Sequence, residues 1–373
     1  MRNIGIASLL LLLFAACNSV NLPTAGKQDP RLDQIKLPEG FQIEIFAEGV
    51  DNARSITRGD KGTIFVGTRG NGSVYAVVDK DNDYKADTIY TLATGLFMPN
   101  GVTFKDGSLY VAEVNKIWRY DNIEDHLTDV PKPVLVTDKL PSERHHGWKY
   151  IDFGPDGKLY APVGAPCNIC EKDEEIYASI MRMDADGSNL EVYASGVRNS
   201  VGFTWHPVTK ELWFTENGRD MMGDDMPADE LNHAPKKGMH FGYPYCHQGD
   251  TPDPKYGEGK SCDDYIAPAM KLNAHVAALG VHFYDGAMFP EKYKHQALIC
   301  EHGSWNRSKP IGYRIMMVEM KDGKAVSYKP FAEGWLKGDA AWGRPVDLLQ
   351  LPDGSLLVSD DDADMIYRIS YKK

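Results

Sequence analysis

Six times along this chain a tight turn leads into a short apolar run. The units are Gly62-Thr63-Ile64-Phe65-Val66, Gly107-Ser108-Leu109-Tyr110-Val111, Gly157-Lys158-Leu159-Tyr160, Glu211-Leu212-Trp213-Phe214, Gln296-Ala297-Leu298-Ile299-Cys300 and Gly354-Ser355-Leu356-Leu357-Val358. Upstream of five of them stands a polar residue at the start of an earlier run: Arg54, Asn100, His146, Arg198-Asn199 and Arg344. The fifth unit is irregular, with His275 as its counterpart. A period of roughly 45–55 residues is the mark of a radial β array with one blade per repeat. If each polar residue opens the innermost strand of its blade, all of them converge on one central mouth.

The rest of the chain agrees with an all-β class. Val74-Tyr75-Ala76-Val77, Ile117-Trp118-Arg119-Tyr120, Ile180-Met181-Arg182-Met183, Tyr313-Arg314-Ile315-Met316 and Ile366-Tyr367-Arg368-Ile369 follow the turn units and alternate with the period of a strand. There is no amphipathic pattern of three helical turns and no strand–helix alternation, which disfavours a doubly wound fold. The spacing between the fourth and fifth units, about 85 residues, exceeds one blade. It contains Gly218 to Lys271, rich in Asp, Pro and Gly, and reads as a blade carrying a long loop insertion. The expected architecture is a six-bladed β-propeller over residues 35–373.

The N-terminus points to export. Arg2 precedes an apolar run from Ile6 to Phe14 that ends at Ala15-Ala16-Cys17. The run is too short to span a bilayer and reads as a signal peptide over residues 1–17. Cysteine after small residues looks like a bacterial lipoprotein signal, with Cys17 as the lipidated residue; an ordinary cleaved signal with a chance cysteine is the competing reading. Residues 18–34, polar and holding Pro23, Gly26 and Pro30, read as a tether. The expected location is the periplasm or cell surface, with membrane contact only through the N-terminal lipid. A net charge of −12 argues against nucleic acid as a partner.

Export permits disulfides. Cys167 and Cys170 form a CxxC followed by Glu171 rather than His, so it is not a c-type haem attachment site. No second CxxC completes a zinc ribbon. A local Cys167–Cys170 bridge and a Cys246–Cys262 pair are expected, leaving Cys300 as a buried free thiol.

Four stretches carry polar chemistry. Arg144-His145-His146-Gly147-Trp148-Lys149 offers a general base, since imidazole titrates near neutrality; a hydrogen-bonded structural His is the alternative. In Gly196-Val197-Arg198-Asn199 a guanidinium fork suits a carboxylate, and Arg54 and Arg344 add positive charge at the mouth. Several inward arginines in an acidic chain suggest an anionic guest; local ion pairs are the competing account. Thr215-Glu216-Asn217-Gly218-Arg219-Asp220 with Asp229-Glu230-Leu231-Asn232 suits Ca²⁺, or a solvated acidic loop. Asp79, Asp81, Asp83 and Asp87 have the spacing of a calcium loop, but Tyr84 stands where the sharp turn wants Gly, so a plain hairpin loop competes.

Taken together, these residues resemble the soluble quinoprotein sugar dehydrogenases. That is the glucose/sorbosone dehydrogenase family of six-bladed propellers, which use pyrroloquinoline quinone (PQQ) and Ca²⁺. The resemblance rests on His146 ahead of Phe153-Gly154-Pro155-Asp156-Gly157, on Gly196-Val197-Arg198-Asn199, on Glu216-Asn217-Gly218 and on Asp229-Glu230-Leu231-Asn232. The L-sorbosone dehydrogenase-like branch is suggested by Ala165-Pro166-Cys167-Asn168-Ile169-Cys170, His302-Gly303-Ser304-Trp305-Asn306-Arg307 and Gly343-Arg344-Pro345-Val346-Asp347. The resemblance implies that His146 is the base and that Asp229 orients His146 or the cofactor. It implies that Arg198, Asn199, Asn217, Asn100 and Arg344 contact PQQ, with Arg307 as the cation of the fifth blade. It makes the carbonyls of Gly218 and Arg219 the calcium ligands, with Glu230 as a further candidate. Glucose-oxidising members place two arginines in the last inner strand, where this chain has Arg344 and then Val346. Trp148 and Trp305 suit stacking on the cofactor or the sugar, or plain packing.

The function implied is oxidation of an aldose or sugar aldehyde to a lactone or acid. No haem domain is read in these residues, so a separate electron acceptor such as a cytochrome is expected. A calcium-dependent propeller lactonase and a non-catalytic binding propeller are the alternatives.

Overall fold

The computed structural model describes residues 19–21 and 29–372. Cys17 lies outside the described residues. Six four-stranded antiparallel units stand around a ring, with the inner strands of successive blades side by side. Blade 1 is Ala53–Arg58, Ile64–Thr68, Val74–Val78 and Thr88–Ala93. Blade 2 is Gly101–Lys105, Ser108–Ala112, Ile117–Tyr120 and Val134–Thr137. Blade 3 is Asp152–Phe153, Leu159–Val163, Ser179–Met183 and Glu191–Ser195. Blade 4 is Phe203–Trp205, Leu212–Glu216, Ala228–Ala234 and Met270–Ala274. Blade 5 is Ala278–Phe283, Ala297–Glu301, Arg314–Lys321 and Lys324–Glu333. Blade 6 is Pro345–Gln350, Leu356–Asp360 and Met365–Tyr371, completed by Phe41–Glu48 from the start of the domain.

The repeated turn units are the second strands. Those of blades 1, 3, 4, 5 and 6 are buried at every position, because each is covered on both faces by neighbouring blades. Such a strand carries a continuous apolar run rather than an alternating one. The turn before Ser108 shows why its sequence recurs. Asp106 and Gly107 both take the left-handed conformation, with φ of 50° and 78°, as a two-residue hairpin between paired Lys105 and Ser108 demands.

Closure comes from Phe41–Glu48 pairing with Met365–Tyr371, Phe41 opposite Tyr371. The Phe41 ring meets Phe289, Tyr293, Phe331 and Tyr371 edge-on at 4.7–5.1 Å, so an aromatic cluster ties the first strand to Tyr371 of blade 6 and to blade 5 beside it. Within the segment read as a tether, Ser19–Asn21 pairs with Thr88–Tyr90 on the outer edge of blade 1. Pro30–Gln34 forms a 3-10 turn that buries Leu32. Contact with the propeller therefore begins before residue 35.

The long segment of blade 4 is an insertion, as expected. Its Met239–His240 crosses to blade 3 and pairs in parallel with Ala194–Ser195. Cys246 is joined to Cys262, Cys167 to Cys170, and Cys300 is a buried free thiol.

One buried acid in the inner ring has a measurable signature. Asp347 accepts hydrogen bonds from the amides of Ile56 at 3.1 Å and Leu348 at 2.9 Å, and burial pushes its pKa up to about 7. The folded chain thus keeps a proton that the unfolded chain releases near pH 4. Its contribution to stability is complete below about pH 4 and is lost as pH rises to 7. Asp347→Asn is expected to flatten that decline, by up to about 1.4 kcal/mol per pH unit, in urea unfolding of the apoprotein followed from pH 4.5 to 7.5. An unchanged slope would show that Asp347 is ionised in the fold.

Candidate active site

Inner strands run away from one face of the ring and second strands run back to it. Residues just before an inner strand and just after a second strand therefore meet at the same mouth. There they surround a cavity of about 750 Å³. Arg54, His146, Arg198, Asn199, Asn217, Gly218, Asp229, His275 and Arg344 all line it, so five blades deliver their residues to one place. Val201, Leu279 and Trp148 line it as well, and with Val346 they form an apolar cluster at the centre of the ring.

His146 is held in one tautomer. Its Nδ1 lies 2.8 Å from the Ala165 carbonyl, which can only accept, so Nδ1 carries the proton and Nε2 is left as a base. Burial, then the charges of Arg198 and His145, push its pKa down to about 2, so the ring stays neutral at any ordinary pH. Its backbone is left-handed, φ 50°, a region His enters more readily than most residues. Gly164 supplies the room beneath it. A Cβ on Gly164 would stand 2.5 Å from the His146 Cβ and 2.8 Å from its carbonyl oxygen. Gly164→Ala is expected to leave the propeller folded but displace the imidazole, lowering kcat by about 10–100-fold in dye-linked assays. A kcat within twofold of the parent would show that the ring is not positioned from below.

Positive charge is concentrated here and only partly compensated. Arg54 is paired, its Nη1 2.6 Å from Asp361, whose other oxygen is 2.7 Å from His302 Nε2. Arg69, Arg144 and Arg344 have no carboxylate partner among the described residues. The Nε of Arg344 is buried with no acceptor. The Arg69 guanidinium lies over the Trp148 ring at 3.9 Å. Burial, then repulsion from Arg54, push the Arg69 pKa down to about 10. Burial alone would raise the Asp361 pKa, but His302 and Arg54 on its two oxygens hold it below the ordinary carboxylate range.

Several expected roles are changed by the geometry. The Arg198 guanidinium is fully engaged by the protein: Nε with the Asn168 carbonyl at 2.9 Å, Nη1 with the carbonyls of Asn217 and Gly218, and Nη2 with Asn168 Oδ1 and Asp220. It ties the Cys167–Cys170 loop to the end of a blade 4 strand instead of offering free donors. Asn217 spends its amide on the carbonyls of Asn199 and Ala278. Asn199 lines the cavity, and its side chain has no hydrogen-bond partner among the described residues. Asp229 does not touch His146; it accepts from the amides of Gly218 at 2.9 Å and Ala278 at 3.3 Å, and burial pushes its pKa up to about 6. Asn100 lies behind the wall, accepting from Arg54 Nε and donating to the Lys149 carbonyl, so it positions Arg54.

Three further expected site residues lie outside the cavity. Arg307 reaches back to the Asp224 carbonyl and Asp225, because its loop is laced to the blade 4 rim. The Arg219 side chain pairs with buried Asp253. Glu230, next to Asp229 on a strand, points to the opposite face, where it accepts from Gln248 and Asn232. Asp79, Asp81 and Asp87 do come together on blade 1, with carboxylate oxygens within 4.8 Å of one another, whereas Asp83 is turned to the amide of Lys85.

Residues 35–372 match the family model described as TrAA12-like. The chain belongs to the TrAA12-like family. It is 36% identical over 354 residues to an uncharacterised protein of Borreliella burgdorferi, covering 91% of both chains. It is 23% identical over 415 residues to a pyrroloquinoline quinone-dependent pyranose dehydrogenase of Coprinopsis cinerea, covering 92% of this chain but only 55% of that longer protein. The calcium structure of a Trichoderma reesei carbohydrate-active enzyme of family AA12 superposes with a TM-score of 0.79 at 20% identity, over 91% of this chain and 97% of that one. At that identity the superposition shows the shared propeller.

In this TrAA12-like chain the sequence reading missed Arg69 and Asp361. Each directly follows a second strand, Ile64–Thr68 and Leu356–Asp360, as Asn217 follows Leu212–Glu216 and His302 follows Ala297–Glu301. The signal was in the repeat itself: the residue leaving each buried second strand returns to the mouth.

Proposed function

We propose that the mouth binds PQQ and that the chain is a PQQ-dependent oxidoreductase, oxidising an aldose or sugar aldehyde to a lactone or acid. The observation that carries this is the set of arginines left unpaired around a neutral, acceptor-ready imidazole. Like charges gathered at a half-buried mouth repel one another, an anionic guest relieves that repulsion, and PQQ is a flat tricarboxylate. Arg344 and Arg69 would hold its carboxylates, Asn199 offers an amide, and Trp148 with Val201 and Leu279 offers apolar surface to a ring system. When bound, PQQ supplies a two-electron acceptor for the hydride of the sugar C–H bond. The proton of the same sugar hydroxyl passes to His146 Nε2. The Ala165 carbonyl keeps Nδ1 protonated, so the base stays in register as its charge appears.

Calcium belongs to the proposal through the calcium structure of the fungal relative. The donors expected for it fit only in part: the Gly218 carbonyl is bonded to Arg198 Nη1 at 2.8 Å, and Glu230 is turned away. No catalytic step is therefore assigned to it. The sorbosone-like substrate preference, a separate electron carrier and anchorage through Cys17 belong to the same proposal. A lactonase would need several carboxylates around one metal at the channel. Among the described residues the group of three acids with that closeness is Asp79, Asp81 and Asp87, away from the cavity.

The deciding experiment reconstitutes the apoprotein with PQQ, with and without Ca²⁺, and offers aldoses and a redox dye. Dye reduction should require PQQ. Reduction indifferent to PQQ, lactone hydrolysis without it, or a stable fold that takes up no quinone would each replace this reading.

A further inference from the structure

A second cavity, of about 350 Å³, opens at the outer edge of blade 3. Its walls are the loop between Leu159–Val163 and Ser179–Met183 and the blade 4 insertion where it crosses to blade 3. Neither segment belongs to the propeller repeat. Each carries one of the two disulfides: Cys170 is in the wall itself, and Cys246 follows Tyr245, which is in the wall. Two cross-links brace a hollow that the fold does not need, which holds its shape before any ligand arrives.

We propose that this cavity is a sugar subsite that takes the distal units of an oligosaccharide whose oxidised end lies at His146. The lining carries the chemistry. Tyr177, Tyr243 and Tyr245 with His240 give the lining aromatic surface suited to the apolar side of a pyranose, although Lys172 lies over one face of Tyr177 and Lys260 over one face of Tyr245. Glu171, one oxygen of which accepts from the Tyr245 hydroxyl, and Glu174 bring carboxylates, acceptors suited to sugar hydroxyls. Glu174 is exposed with no ion-pair partner among the described residues, and the rim is acidic, so an anionic ligand is disfavoured.

The two cavities share a wall. Ala165 lines the second cavity, and its carbonyl is the acceptor that orients His146 in the first. Cys170, a few residues on, donates its amide to Tyr243 at 3.0 Å. Both cavities open where Leu159–Val163 and Glu191–Ser195 end, on the mouth side of blade 3. A chain that leaves the central mouth over the Ala165–Cys170 stretch enters the second cavity without crossing to another face.

The placement of the oxidised end rests on the proposed PQQ chemistry; the binding of sugar at the second cavity does not, and the test separates them. The probes are borohydride-reduced malto-, cello- and xylo-tetraoses, which have no free hemiacetal to oxidise. Calorimetry with the full chain, without PQQ, should show at least one of them binding. The double variant Tyr245→Ala/Glu174→Gln should weaken that binding at least tenfold while thermal unfolding and PQQ uptake stay as in the parent. In the reconstituted enzyme the same variant should raise KM for the matching unreduced tetraose and leave monosaccharide oxidation unchanged. No binding of any tetraose, or equal binding by parent and variant, overturns the proposal. Tyrosine-dependent binding in a chain that oxidises nothing would support the subsite and sink the dehydrogenase reading alone.

Discussion

His146→Ala is expected to lower kcat for PQQ-dependent sugar oxidation by about 10²–10⁴-fold, the range for loss of a positioned general base. PQQ uptake, followed by absorbance, should be unchanged, because His146 contributes an acceptor nitrogen and no charge to the mouth. The parent enzyme should also show no inflection near pH 6.5 that the variant lacks. Burial and the neighbouring Arg198 and His145 have already pushed the imidazole pKa down to about 2. A variant with parental kcat, or an inflection near 6.5 that vanishes with His146, would remove it from the chemistry.

Arg69→Met/Arg344→Met is expected to weaken PQQ binding by about 10²–10⁴-fold, from roughly 1.5–3 kcal/mol for each charge-assisted contact. Methionine keeps much of the stem volume, so packing over Trp148 persists while the charge is gone. The apoprotein should lose no stability and can gain some, because neither guanidinium has a carboxylate in ion-pair contact among the described residues, and Arg54, Arg144 and Arg344 all repel Arg69. That opposite sign is the useful readout: a structural arginine destabilises the fold when removed, whereas a ligand-binding one relieves repulsion. The parent's PQQ affinity should also fall as salt rises, more steeply than the variant's. Equal affinity in parent and variant would mean that the arginines serve something else.

Much of this molecule was legible as a repeat. The buried second strands announce themselves as continuous apolar runs after turn residues, and their spacing returned the blade count. Arg54, His146, Arg198 and Arg344 were found because each stands at the start of an inner strand or in the loop that leads into one. The roles were less legible than the positions. Arg198 has the same sequence context as a ligand-binding arginine, yet Asn168 and Asp220, brought from elsewhere in the chain, saturate it. Asp229 and Glu230 are neighbours in sequence, and strand alternation sends one to the cavity and one away. Arg69, which leaves the second strand of blade 1, brings to the cavity a positive charge that a search confined to the starts of inner strands passes over.

The amino-acid order alone determined the class, the number of blades, the face on which the polar residues gather and the two disulfide pairs. Those are local or periodic properties, set by strand patterning, turn chemistry and near spacing. Which arginines remain free, which tautomer His146 adopts, and that a stapled hollow shares a wall with the mouth were decided only by tertiary structure. Hydrogen-bond saturation and desolvation depend on what the other blades bring to the same point, and a one-dimensional pattern carries no record of that.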